Sequence, residues 1–284
     1  MTYKRGKQVM KKRFTVYDFI RHLILISFAA VILFPFLWMI CASFKEEQDV
    51  FVENFHLFPS SWKFENYVDA WNAAPFGAFF INSMKAAAIS VVCQTTFCSM
   101  AAYAFAKLQF PFKKTLFSLM LAMLILPEEA AIISNYLLAQ KLNLVNTSFG
   151  VAMMQLVNVF NIFLMRQIFM TVPDDLIQSA SLDGCGSIQV FWHIILPNAK
   201  SSIATVALLS FLNSWNNYMW PYMVTDENRF RTLQIGLRYL IRPDLGPQWP
   251  MIMAASTMIL IPVMMLFVFL QKYFVEGMLT SGIK

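Results

Sequence analysis

The chain has 284 residues, 58% of them hydrophobic and only 13% charged, with a formal net charge of +6. Soluble domains are about a quarter charged, so this composition argues against a soluble protein and for an integral membrane one. The positive excess calls for no nucleic-acid partner, because it gathers ahead of the first apolar run without any aromatic-interleaved binding motif.

Residues 1–22 carry Lys4, Arg5, Lys7, Lys11, Lys12, Arg13 and Arg21 against Asp18 alone. The uncharged run 23–43 follows. It is longer than the apolar core of a signal peptide, and bulky Met39 and Ile40 ahead of Cys41 do not suit lipoprotein processing. It reads as a retained first transmembrane helix. The next loop, 44–75, sets Lys45 and Lys63 against Glu46, Glu47, Asp49, Glu53, Glu65 and Asp69. The positive-inside bias therefore places the N-terminus in the cytoplasm and this loop outside.

A second uncharged run, 86–106, leads to Lys107, Lys113 and Lys114, which fall inside. The third span is interrupted: 115–127 continues through Pro127, Glu128 and Glu129 into 130–140. Runs at 142–165, 201–225 and 251–270 complete the set, each about long enough to cross a roughly 30 Å hydrocarbon core. The expectation is an all-α membrane protein with six transmembrane helices, N-in and C-in. Residues 1–22 and 273–284 form cytoplasmic tails around a 23–272 transmembrane domain. One loop runs against this topology: 226–244 carries Arg229, Arg231, Arg238 and Arg242, offset in part by Asp226, Glu227 and Asp244.

Between the fourth and fifth spans lies a polar island, 171–200. Pro173 and the pair Asp174–Asp175 suit a helix start, where a missing N–H costs nothing and negative charge meets the positive dipole end. Leu176, Ile177 and Ala180 share one face, and Gly184 is placed to end the helix with positive φ. Ser187 is positioned to cap a second helix with Ile188, Phe191 and Ile195 on one face, until Pro197 stops it.

In the fifth span Ser210, Asn213, Asn217 and Trp220 recur at helical spacing, with Asn216 and Trp215 beside them. Amides facing lipid are costly, so the stripe either bonds neighbouring helices or lines a polar path where amides bind hydroxyls and indoles stack on rings. Glu128 and Glu129 are either a gate or pathway site at membrane depth or a solvated helix end. No phosphate-cradling GxxxxGK[ST] run occurs, nor any nucleophile–base constellation. The four cysteines (Cys41, Cys93, Cys98, Cys185) and three histidines (His22, His56, His193) show no metal-ligand spacing, so no metal site is expected.

The island resembles the EAA loop of ATP-binding-cassette (ABC) importer permeases. The segments SFKEEQDVF, FENYVDAW, FINSMKAAAIS, AAYAFAKLQFPFKKTLF, NIFLMRQIFMTVPDDL, SFLNSWNNYMWPYMVT and QKYFVEGMLTSGIK are similar to the carbohydrate-uptake, maltose-type group of these permeases. The resemblance implies a type I ABC importer fold in the cell membrane. It also implies ATPase coupling through Gln178, Ser179, Ala180, Asp183, Gly184 and Pro197. The partners it implies are a second permease subunit, two ABC ATPase subunits, an extracytoplasmic solute-binding protein and membrane lipid. This chain would bind no cofactor, with ATP and Mg held by the ATPases. The family's loop begins Glu-Ala-Ala, whereas Gln178-Ser179-Ala180 stand here, so any salt bridge made by that Glu is absent. The solute expected is a sugar or oligosaccharide, with glycerol 3-phosphate or another polyol as the alternative. A proton-coupled secondary transporter using Glu128 or Glu129 is the rival class, against which no broken helices are read from the sequence.

Overall fold

The computed structural model describes residues 16–51, 56–242 and 246–281. Residues 1–15, most of the predicted N-terminal tail, lie outside these, as do Asp244 of the 226–244 loop and the last residues of the C-terminal tail. Helix α1 (Val16–Ala42) is followed by a segment with a 3-10 turn (Glu47–Asp49) and α2 (Glu65–Asn72). Then come α3 (Phe76–Cys93), a π-helical turn (Gln94–Cys98) and α4 (Ser99–Lys107), which form one continuous rod. Next are α5 (Lys113–Ala122), α6 (Ile132–Lys141), α7 (Ser148–Ala152) and α8 (Val159–Thr171). The polar island holds α9 (Asp174–Leu182), α10 (Ser187–Val190), a second π-helical turn (Phe191–Ile195) and α11 (Leu196–Asn198). Helices α12 (Lys200–Trp215), α13 (Met219–Val224) and α14 (Leu233–Arg238) follow. A two-residue antiparallel pair, Ile241–Arg242 with Gly246–Pro247, then leads into α15 (Trp249–Ser281).

Three helices cross by length and composition alone: Val16–Ala42, Phe76–Lys107 and Trp249–Tyr273. Three bent pairs bring the count to as many as six. The 32-residue rod Phe76–Lys107 is about 48 Å long at 1.5 Å per residue, well beyond the hydrocarbon thickness. The sequence run 86–106 captured only its later part, because Lys85 ended the uncharged stretch.

Each bend has a local cause. At the third span Leu126 (φ −79°, ψ 129°) and Pro127 (φ −66°, ψ 129°) are extended, since proline lacks an N–H and forces its predecessor out of the helical region. The halves Lys113–Ile125 and Glu129–Lys141 meet at 89°. The fourth span begins at Ser148, not at residue 142, and bends by 53° between Gln155 and Val159. Asn158 restarts it, its Oδ1 accepting from the Asn161 N–H at 3.2 Å, and Thr147 caps the earlier half by accepting from the Gly150 N–H at 2.9 Å. The fifth span is not the continuous run 201–225: α12 ends at Trp215, and the Asn217 Oδ1 accepts from the Trp220 N–H at 3.3 Å as α13 starts. Broken helices are therefore present, contrary to the sequence reading. Composition marks the break in the third span, through Glu128 and Glu129, but hides those in the fourth and fifth, because a break made of Asn and Gln carries no charge to interrupt an apolar run.

The core divides along the chain's depth. Tyr103, Met165, Phe169, Val190, Phe191 and Ile195 pack the end nearest the polar island. Phe76, Phe79, Phe211, Trp215 and Leu240 pack the opposite end with Ala254 and Ile259 of α15. Tight approach there is visible at Gly236, where a Cβ would stand 2.9 Å from the Phe79 ring. Most large apolar side chains of α1 face outward, as a helix bathed in lipid requires.

Candidate functional site

The ends of the three broken spans converge on one cavity of about 770 Å³. The third span contributes Met123, Leu126, Pro127, Glu129 and Asn135; the fourth contributes Met154, Gln155 and Asn158. Asn213, Asn216, Asn217 and Tyr218 come from the fifth, and Gln94 from the π-helical turn of the second. Non-helical backbone at membrane depth persists only where protein buries it or where it borders a polar cavity. The breaks and the cavity thus account for each other: the amides that end the helices also line the space the ends enclose.

Beneath this lining is a hydrogen-bonded network centred on Gln94, which is 1% exposed. Its Oε1 accepts from Asn161 Nδ2 at 2.6 Å and from Ser210 Oγ at 2.7 Å, while its Nε2 donates to the Gln155 carbonyl at 2.7 Å. Gln155 in turn donates to the Asn213 carbonyl at 3.3 Å and accepts from Ser90 Oγ at 3.3 Å. Three spans are tied through one side chain. The π turn adds a residue to the helical ladder and turns Gln94 to this meeting point.

Of the predicted pathway residues, Asn213, Asn216, Asn217 and Glu129 line the cavity, while Ser210 sits in the network below it. Glu128 begins the 3-10 turn after Pro127, and its side chain lies outside the described ones. The two tryptophans are placed elsewhere. Trp215 is 1% exposed, stacks on Phe211 at 5.2 Å and donates its indole N–H to the Ile259 carbonyl at 3.2 Å. Trp220 is buried and donates to the Gly150 carbonyl at 2.9 Å. Neither is among the described lining residues, because each indole N–H is satisfied by packing against a neighbouring helix. Sequence reasoning missed Gln94, Asn135, Gln155 and Asn158. Their signal was legible as amides within uncharged apolar runs, the same costly placement that singled out the fifth span.

The 171–200 island forms two helices around a tight turn. Gly184 has φ +85°, as expected from the sequence. The Cys185 N–H bonds the Ala180 carbonyl at 2.9 Å and the Gly184 N–H bonds the Ser181 carbonyl at 3.1 Å, a Schellman closure of α9. Nothing lies within 4 Å of a Cβ added at Gly184, so backbone conformation and not crowding selects glycine. Two local expectations are corrected. Gly186, not Ser187, caps α10, its N–H bonding Gln189 Oε1 at 2.9 Å. Ile188 is 74% exposed, so only Phe191 and Ile195 of its predicted face are buried. The second helix also runs one residue past Pro197 before Ala199 breaks it; the π turn at Phe191–Ile195 absorbs the hydrogen bond that Pro197 cannot donate.

The island is anchored by its buried side: Ala180, Val190 and Phe191 pack against Tyr103, Met165 and Phe169. Lys107 fastens the entry, donating to the Val172 carbonyl at 2.7 Å and pairing with Asp174 at 2.6 Å. Gln178, Ser179, Asp183 and Gly184 are exposed, together with Leu182, Ile188 and Trp192. On the opposite side of the molecule the carboxyl of Asp49 is held below its ordinary range, chiefly by the Ser60 backbone N–H at 3.0 Å.

A bundle of broken spans around an amide-lined cavity, with a structured polar loop at one end, defines a membrane transport component. The family described as "binding-protein-dependent transport system inner membrane component" matches residues 10–280, and the chain belongs to it. It is 32% identical over 271 residues to the sn-glycerol-3-phosphate transport system permease protein UgpE of Yersinia pestis bv. Antiqua (strain Antiqua), covering 93% of this chain and 96% of that protein. It is 35% identical over 262 residues to the arabinooligosaccharides transport system permease protein AraQ of Halalkalibacterium halodurans, covering 91% and 93%. Its fold is that of a bacterial ABC transporter involved in the import of the acidic polysaccharide alginate: TM-score 0.78, 24% identity, 96% of this chain and 99% of that one. The protein is thus a multi-pass permease component of the inner membrane, and the secondary-transporter reading falls despite its broken helices.

Proposed function

We propose that this permease forms half of an ATP-driven import path for a sugar or oligosaccharide. The observation that carries it is the convergence of three broken spans on a cavity lined by Gln94, Asn135, Gln155, Asn158, Asn213, Asn216 and Asn217. Amides present paired donors and acceptors, the complement of sugar hydroxyls, and the volume falls within the roughly 300–1,000 Å³ of small-molecule sites. The relatives transporting arabinooligosaccharides and glycerol 3-phosphate are both polyhydroxylated-solute systems in name. A glycerol 3-phosphate-type solute is the second reading, favoured by the UgpE relative.

The assembly comprises this chain, a second permease, two ATPase subunits that hold ATP and Mg, and an external binding protein that delivers solute. The chain itself binds no nucleotide. Its six spans run N-in and C-in, with tails at 1–22 and 273–284 on the cytoplasmic side. The exposed face of α9 and α10, with Gln178, Ser179, Asp183 and Gly184 at its turn, enters the ATPase together with exposed Pro197, while buried Ala180 holds that face on the bundle. ATP binding and release then favour different conformations of the joined subunits.

The test is reconstitution of the complete complex in proteoliposomes with its binding protein. ATP-dependent saccharide uptake is expected, and the permease alone should show background ATPase activity only. With Cys185 as the single native thiol, or a single cysteine at Lys12, impermeant thiol reagents should fail to label intact cells. Uptake that persists without ATPase subunits on a proton gradient, or labelling of either thiol from outside, overturns the reading.

A further inference from the structure

Resting on the sugar-import reading and against its glycerol 3-phosphate-type alternative, we infer that this cavity selects uncharged polyhydroxylated solutes and rejects anionic ones, with Glu129 setting the sign. Among the described residues lining the cavity, Glu129 is the one that carries a charge; the other polar groups are amides and the Tyr218 phenol. A phosphate or uronate carboxylate taken from water needs a guanidinium or ammonium to replace its hydration. Here it meets the exposed carboxylate of Glu129 on the cavity wall, a like charge that repels it.

Among the described residues no basic side chain lines the cavity, and several basic residues are engaged elsewhere. Lys107 pairs with Asp174, Arg166 lies over the Phe117 ring at 4.1 Å, and Lys113 donates to the Leu108 carbonyl at 2.7 Å, all at the island end. Arg238 comes nearest: it donates to the Tyr218 hydroxyl at 3.0 Å and lies 5.6 Å from the Tyr222 ring centroid, yet it does not line the cavity. Its guanidinium grips the outer edge of Tyr218. Apart from Glu129 and Tyr218, the polar lining consists of amides set among apolar side chains, and these bind hydroxyls but offer an anion only uncharged donors.

The potential inside the cavity is measured with a single cysteine at Asn213→Cys, the native cysteines replaced, in the assembled complex in nanodiscs. Cationic, neutral and anionic methanethiosulfonates are applied, and each rate is divided by that of a free thiol in solution. The anionic reagent is expected to react about tenfold more slowly than the cationic one. Glu129→Gln should flatten that ratio and Glu129→Arg should invert it, while the neutral reagent's unchanged rate shows that each variant is folded. A flat ratio in the starting protein, or one that Glu129 substitutions do not move, overturns the inference. Uptake of a neutral saccharide by the complex with Asn213 intact, reconstituted in proteoliposomes with binding protein and ATP, separates the two claims. Uptake with a flat ratio removes only the charge selection, whereas a strong ratio without ATP-dependent uptake removes the import reading on which it rests.

Discussion

The cavity and the 171–200 island are both polar interruptions of an apolar chain, but they are built in opposite ways. The cavity is specified by side chains: Gln94, Asn161, Ser210 and Gln155 bond one another, and the break at Asn158 follows from what its amide caps. The island is specified by backbone: a positive-φ glycine, a Schellman closure and a proline-induced π turn set its shape, while its outward side chains make few bonds. A region held by mutual side-chain bonds couples stability to function. One held by backbone geometry and presented outward can lose function while the bundle still folds.

Gly184→Val is the strongest test of that distinction. A β-branched residue at φ +85° is strained by roughly 1–3 kcal/mol, and it misaims α9 relative to α10. Membrane insertion and thermal stability of the bundle should be near wild type. Solute-stimulated ATP hydrolysis and uptake should fall by at least about tenfold, or the ATPase subunits should no longer co-purify. Gln178→Glu, which restores the family residue on an exposed position, should be tolerated. Normal uptake and assembly in Gly184→Val would show that the turn does not govern coupling.

Gln94→Leu probes the other side of the comparison and should reverse the pattern. It removes the acceptor shared by the Asn161 amide and the Ser210 hydroxyl, which keep only their mutual bond at 3.3 Å, and takes the donor from the Gln155 carbonyl, at roughly 1–3 kcal/mol for each group left unsatisfied. The thermal transition of the purified complex should drop by several degrees, with ATPase subunits still attached, since the island's contacts are untouched. A variant as stable as wild type, with uptake unchanged, would mean that the network neither ties the spans nor supports the cavity floor.

The contrast also explains what could be read from sequence. The island was legible nearly to the residue, because glycine, proline and acidic residues carry their conformational meaning locally; Gly184 needed no tertiary knowledge. Its errors at Ser187 and Ile188 are matters of which neighbour satisfies a cap or covers a face. The fifth-span amides were legible as a stripe, but whether each faced a cavity or a neighbour depended on helices distant in sequence. Trp215 and Trp220 show this, since their indoles bond Ile259 and Gly150, far along the chain. Gln94 was legible only as an amide within an apolar run, and its partners were not. Its role comes from a π turn and from three partners, the most distant 116 positions away at Ser210.

The smallest expected effect concerns the segment between α1 and α2, which is neither cavity nor island but shares the side-chain logic of the former. Asp49 accepts from the Ser60 N–H at 3.0 Å and from Ser60 Oγ at 3.2 Å, closing the loop that begins at Lys45. Those bonds, the backbone one foremost, hold its carboxyl below the ordinary carboxylate range. A carboxyl depressed in the folded state adds stability above its unfolded pKa of about 3.9 and loses it as pH falls through the lowered value. Amide hydrogen exchange around Ser60 should therefore accelerate between neutral pH and pH 3, after correction for intrinsic rates. In Asp49→Asn the acceleration should be smaller, because the protonation that drives it is gone. The side chain is largely solvent-exposed, so screening keeps the difference modest and local. Equal acceleration in both proteins would assign the acid sensitivity of this loop to its other carboxylates, Glu46 paired with Lys63 or Glu47 beside Trp249.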